Sequence, residues 1–103
     1  MKSIVLNGIK KLELREVPKP QLKSKFDVML KIAAVGICGS DIHYFTEGRI
    51  GDQVVQYPFT IGHECTAIVE EIGSEVTRVK PGDHVVIDPL VSCGKCPQCL
   101  NGR

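Results

Sequence analysis

The chain has 103 residues, 43% of them hydrophobic, which is enough for one domain and too few for two. Its 13 Lys+Arg against 12 Asp+Glu leave a net charge of +1, and its 5% of aromatic residues include no Trp, so both the field and the stacking platforms of a nucleic-acid binder are missing. No apolar run approaches the roughly 18 residues of a membrane span, and the chain reaches polar Asn7 too soon for an export signal, so a cytoplasmic protein is expected.

No internal repeat is visible and the apolar pattern mostly has period two, which points to an all-β barrel or sandwich. Leu12 and Leu14 alternate with Glu13 and Arg15 in a short strand, which Pro18 and Pro20 end because proline donates no ladder hydrogen bond. Over residues 26–35, Val28, Leu30, Ile32 and Ala34 alternate with Asp27, Met29, Lys31 and Ala33, predicting the best strand, with one wholly apolar face. A helix of one or two turns is predicted from residue 40 or 41 to 47, with a capping side chain at its start. Residues 66–72 form the next strand, with Ala67 and Val69 on one face and Ile68 and Ile72 on the other, before Gly73-Ser74 turns the chain. Pro81-Gly82-Asp83 makes a further turn into a strand over 84–87. Asn101-Gly102-Arg103 reads as the middle of a loop, so the expectation is a piece of a longer protein.

The residues that carry chemistry fall between these strands. Cys93, Cys96 and Cys99 form two overlapping C-x-x-C units that can aim successive sulfurs at one point, and a soft divalent ion, zinc first, suits them. A structural zinc wants four ligands, so a fourth must come from elsewhere. The alternative is a redox pair, which normally opens a helix after a strand, whereas Gly94 and Pro97 surround these thiols. Cys38, His63 and Glu64 are the ligand types that hold a catalytic zinc and leave one position open. Taken separately they read more often as a buried small thiol and a solvated His-Glu pair, and the glycines around them reverse that balance. Cys65 and His84 read as structural residues, and Lys10-Lys11 with residues 19–25 as solvated turns. Neither Gly36-x-x-Gly39 nor Gly48-x-x-Gly51 lies in the βαβ unit that a dinucleotide fingerprint requires.

In order along the chain, Gly36-x-Cys38-Gly39-Ser40-Asp41-x-His43, Gly62-His63-Glu64, Gly73-x-x-Val76, Pro81-Gly82-Asp83-x-Val85 and the Cys93/Cys96/Cys99 loop resemble the N-terminal catalytic domain of zinc-dependent medium-chain alcohol dehydrogenases. The resemblance covers essentially residues 1–103, and residues 38–51 are most similar to the sorbitol or polyol dehydrogenase branch, with L-threonine dehydrogenases as near neighbours. It implies a mainly β fold, a GroES-like barrel with short helical turns, incomplete at its C-terminal end. It implies a catalytic zinc on Cys38 and His63, with Glu64 a direct ligand or a close neighbour and direct ligation favoured in the polyol branch. Ser40 matches the hydroxyl that passes the substrate proton on, His43 the relay end nearer solvent, and Asp41 the carboxylate that orients His63. Tyr44 and Ile50 fall where polyol enzymes line the substrate pocket, and Cys93, Cys96 and Cys99 match the structural zinc loop, its fourth cysteine lying beyond these residues. One departure is Ala67, where the family usually has glycine.

The implied activity is oxidation of a secondary alcohol of a sorbitol-like polyol to a ketone. A metal that lowers the pKa of the alcohol eases the departure of hydride, which must land on NAD or NADP held by a separate dinucleotide-binding domain. Without that domain the chain by itself is expected to be inactive. The implied partner is a small-molecule alcohol, with a homo-oligomer expected for the full-length protein. Different readings are an enzyme of the L-threonine dehydrogenase kind, a non-catalytic zinc-binding GroES-like module, or a purely structural cysteine-zinc domain.

Overall fold

A computed structural model describes residues 1–102, so Arg103, where the expected unit ends, lies just outside the described residues. In chain order the elements are β1 (Lys2–Leu6), β2 (Leu12–Glu16), β3 (Val28–Gly36), α1 (Gly39–Glu47), β4 (Arg49–Ile50), β5 (Gln53–Val54), β6 (Phe59–Thr60), β7 (Glu64–Ile72), β8 (His84–Val86) and α2 (Pro97–Leu100). No helix among the described residues is long and apolar enough to cross a membrane.

Strands β1 and β2 form an antiparallel hairpin running from Lys2 opposite Glu16 to Leu6 opposite Leu12. Its turn is closed by the Asn7 N–H donating to the Lys11 carbonyl at 2.8 Å, with Lys10 in the left-handed region at φ 59°. Short β6 adds to the other edge of β1. The sequence pattern does not announce β1, because Ile4-Val5-Leu6 is a run rather than an alternation. Its apolar residues nonetheless seed the core: Leu6 is fully buried and Val5 nearly so.

The second sheet has the order β3-β7-β8, all antiparallel. Its long ladder pairs Val28 with Ile72 at one end and Gly36 with Glu64 at the other. Ala67 and Val69 point into the core, each 2% exposed, from the face assigned to them by alternation. On β3 the buried residue is Met29, whereas Val28 and Leu30 are half-buried and Ile32 and Ala34 exposed, which corrects the expected apolar face. The pairing is irregular along this strand, with register shifts between Met29 and Leu30 and between Ile32 and Ala34, and with the sheets open the outer half of its apolar face stays uncovered. At the far end of the ladder Gly73 admits the 24–27 turn, since a Cβ there would collide with the Lys25 carbonyl, while its N–H donates to the Asp27 carbonyl at 2.8 Å.

The barrel is open among the described residues: the strands form two three-stranded sheets and one small hairpin. The accessible surface is 8183 Å², against about 5,700 Å² for a compact protein of this mass. The radius of gyration is 16.2 Å, against about 13 Å for a compact domain of this length. Apolar side chains such as Ile37 and Val91 consequently stand in solvent.

Candidate metal centres

The first centre follows from the ladder. Because Gly36 and Glu64 are paired, the chain leaving β3 and the chain entering β7 emerge side by side, which places Cys38 next to His63 and Glu64 despite their separation in sequence. Cys38 has extended backbone angles, φ −90° and ψ 158°, and caps α1. Asp41, in the first turn of that helix, is 5% exposed. Its Oδ2 accepts the Cys38 N–H at 2.9 Å and its Oδ1 accepts the Gly62 N–H at 3.3 Å. One buried carboxylate therefore ties both segments together, and the two N–H groups offset its desolvation. Asp41 Oδ1 also lies 3.5 Å from His63 Nδ1, an arrangement that leaves Nε2 free for another partner.

Cys38 Sγ, a His63 ring nitrogen and a Glu64 carboxylate oxygen lie within 4.8 Å of one another, the first two residues half-buried and the third exposed. A thiolate, an imidazole and a carboxylate are the donor types of an open zinc site. Two residues after Cys38, Ser40 Oγ is buried without a hydrogen-bond partner. Such an orphan hydroxyl is costly in a finished core and fits a position that a ligand completes.

Farther along α1, His43 is exposed, with Nδ1 3.6 Å from the Glu47 carboxylate one turn on. Tyr44 meets Phe59 edge to face at 5.2 Å between ring centroids. Together with Gln53, Val54, Val55 and Gln56 these rings line an open cleft of about 280 Å³. Ile50, on β4 opposite Gln53, does not line it. The two glutamines and Phe59 were not singled out by spacing; only the antiparallel return of the β4–β5 hairpin and β6 brings them to Tyr44. Gly48 ends α1 in the left-handed region at φ 68° and turns the chain into that hairpin, its N–H donating to the Tyr44 carbonyl at 3.1 Å.

The second centre is local. Cys93 Sγ lies 3.7 Å from Cys99 Sγ, and Cys96 Sγ lies 3.4 Å from Cys99 Sγ. The edge of a tetrahedron of thiolates around zinc is about 3.8 Å, from the Zn–S distance, so the loop is already shaped for that ion. A short helix does begin at Pro97, contrary to the expectation from the flanking Gly and Pro, because proline is tolerated in a first helical turn. The N–H groups of Lys95 and Cys96 donate to Cys93 Sγ at 3.5 and 3.4 Å. These bonds, then the neighbouring sulfurs of Cys96 and Cys99, push the Cys93 thiol down to about 7. Among the described residues no fourth ligand side chain joins the three cysteines, and Cys65 and His84 stand outside both centres.

Residues 24–103 match the family of the alcohol dehydrogenase GroES-like domain. The chain belongs to this family. It is 44% identical over 103 residues to sorbitol dehydrogenase of Bacillus subtilis, which covers all of this chain and 29% of that protein. It is 46% identical over 101 residues to the probable D-xylulose reductase A of Emericella nidulans, covering 98% of this chain and 28% of that one. Among solved structures, galactitol-1-phosphate dehydrogenase from Escherichia coli superposes with a TM-score of 0.83 at 36% identity, over 98% of this chain and 28% of that chain. An alcohol dehydrogenase from a Thermus species gives 0.79 at 32% identity, again over 98% and 28%. The family is thus that of the zinc-type medium-chain polyol and alcohol dehydrogenases, and this GroES-like chain spans less than a third of the length of these curated relatives.

Proposed function

We propose that residues 1–103 are the catalytic-domain portion of a zinc- and NAD(P)-dependent dehydrogenase that oxidises a secondary hydroxyl of a sorbitol-like polyol to a ketone. The observation that carries this reading is the convergence of Cys38, His63 and Glu64, with the buried, unpaired Ser40 hydroxyl two residues after Cys38. The names of the relatives, a sorbitol dehydrogenase and a D-xylulose reductase, support the polyol class.

In this reading Cys38, His63 and Glu64 hold the metal. Asp41 fixes the Cys38 backbone through one oxygen and orients His63 through the other. When bound, zinc would supply Lewis acidity at the substrate hydroxyl, and NAD(P) on a dinucleotide domain would supply the hydride acceptor. Ser40 Oγ accepts the hydroxyl proton as it gives up its own, and His43, one helical turn on, takes that proton and passes it to solvent. Tyr44 and the cleft it lines receive the rest of the polyol, with Gln53 and Gln56 offering amide groups to its hydroxyls. Cys93, Cys96 and Cys99 hold a second, structural zinc.

Cys38→Ser and His63→Ala are each expected to abolish sorbitol oxidation in the complete enzyme and to remove one zinc per chain, read by turnover and by metal analysis. Full activity retained in both variants overturns the proposal.

A further inference from the structure

We propose that Gly36 is a positioning residue for the first metal centre: the side chain it lacks is the space over which the Glu64 carboxylate lies. This rests on reading Cys38, His63 and Glu64 as the metal ligands. Gly36 and Glu64 are direct partners in the β3–β7 ladder, and directly opposed residues project from the same face of a sheet. A Cβ on Gly36 would stand 3.2 Å from Glu64 Oε2, 3.4 Å from Glu64 Cβ and 3.5 Å from the Glu64 carbonyl oxygen. The Glu64 side chain, though exposed, therefore lies across the bare backbone of its partner. In that position a carboxylate oxygen is within 4.8 Å of the ligand atoms of Cys38 and His63.

Backbone strain does not explain the glycine. Gly48, Gly51, Gly62, Gly82, Gly94 and Gly102 have positive φ, and Gly36 is not among them. Alanine can adopt the backbone of residue 36, so the tight contact an added methyl makes is with the Glu64 carboxylate at 3.2 Å, the Glu64 Cβ and carbonyl lying at ordinary contact distance. The effect of the methyl should fall on the position of the carboxylate and spare the ladder.

The test is a Zn²⁺ titration of the full chain against a competing chelator, with the three-cysteine loop intact in every variant as a second binding event. Gly36→Ala is expected to weaken by about 10–100-fold the binding event that Cys38→Ser removes, the range seen when groups supporting a metal ligand are lost. Its melting temperature should not fall. In a Glu64→Ala background the same substitution should cause no further loss, because the two residues act as a unit. Unchanged affinity in Gly36→Ala overturns the proposal. So does an equal loss in the Glu64→Ala background, or failure of Gly36→Ala to fold, since Gly36 would then act through the backbone. If Cys38→Ser itself changes nothing, the metal-centre reading fails and takes the proposal with it, a pattern distinct from the others.

Discussion

The two candidate metal centres of this chain are built in opposite ways. The Cys93/Cys96/Cys99 loop gathers its sulfurs within one turn of chain and the short helix α2, and its cysteines need nothing from the sheets to meet. The Cys38/His63/Glu64 centre exists only because the β3–β7 ladder ends with Gly36 opposite Glu64 and because buried Asp41 clamps the two emerging segments. Local centres are encoded by spacing. Assembled centres are encoded by register, so they inherit the stability of the sheet that sets it.

The sharpest way to break this comparison is to attack the ladder. Val69→Asp places an unpaired charge at a position 2% exposed, at a cost of about 3–5 kcal/mol. Zinc should leave the Cys38 centre while the cysteine loop keeps its thiolate-to-metal absorption with Co²⁺. Equal loss from both would show that the loop also depends on the sheet. Ser40→Ala lies next in size: turnover in the complete enzyme should fall by about 10²-fold or more with the metal retained. Loss of metal instead would make Ser40 part of the ligand scaffold.

Asp41→Asn tests the clamp itself. An amide offers one acceptor oxygen where the carboxylate uses both, so either Cys38 or Gly62 loses its bond. Zinc affinity at that centre should drop by about 10–100-fold, measured against a chelator, with the cysteine loop unmoved. Asp83→Asn is the smallest change. The Lys80 ammonium, at 2.6 Å, and then the Lys80 N–H hold the Asp83 carboxyl below the usual carboxylate range. A carboxyl whose folded pKa is depressed contributes stability above its unfolded pKa and loses it as pH falls through the folded value. The variant should therefore melt slightly lower near neutral pH, with the difference closing in acid, while neither metal centre responds.

What was legible in the sequence follows the same division. Strands with clean alternation, β2, β3 and β7, and the helix α1 could be read from period and turn residues. The apolar run of β1, the two-residue strands β4, β5 and β6, and the proline-led helix α2 could not, since each is fixed by its partners or by a few torsions. The burial of Met29 rather than Ile32 was hidden because irregular pairing and open sheets leave no mark in a hydrophobic pattern. At the sites, Cys93, Cys96 and Cys99 announced themselves by spacing. Cys38, His63 and Glu64 stood out by their ligand types among the glycines and then through family resemblance, but nothing in their spacing reveals that Gly36 faces Glu64. Gln53, Gln56 and Phe59 carried no signal, and Gly36 stood out only as the first residue of its motif.

The most direct test counts and characterises zinc in a chain with Cys93, Cys96 and Cys99 all changed to serine. One zinc should remain, and its X-ray absorption should fit a single sulfur at about 2.3 Å with nitrogen and oxygen at about 2.0–2.2 Å. A chain that retains no zinc, or a zinc without sulfur in its shell, would contradict a centre assembled on Cys38, His63 and Glu64.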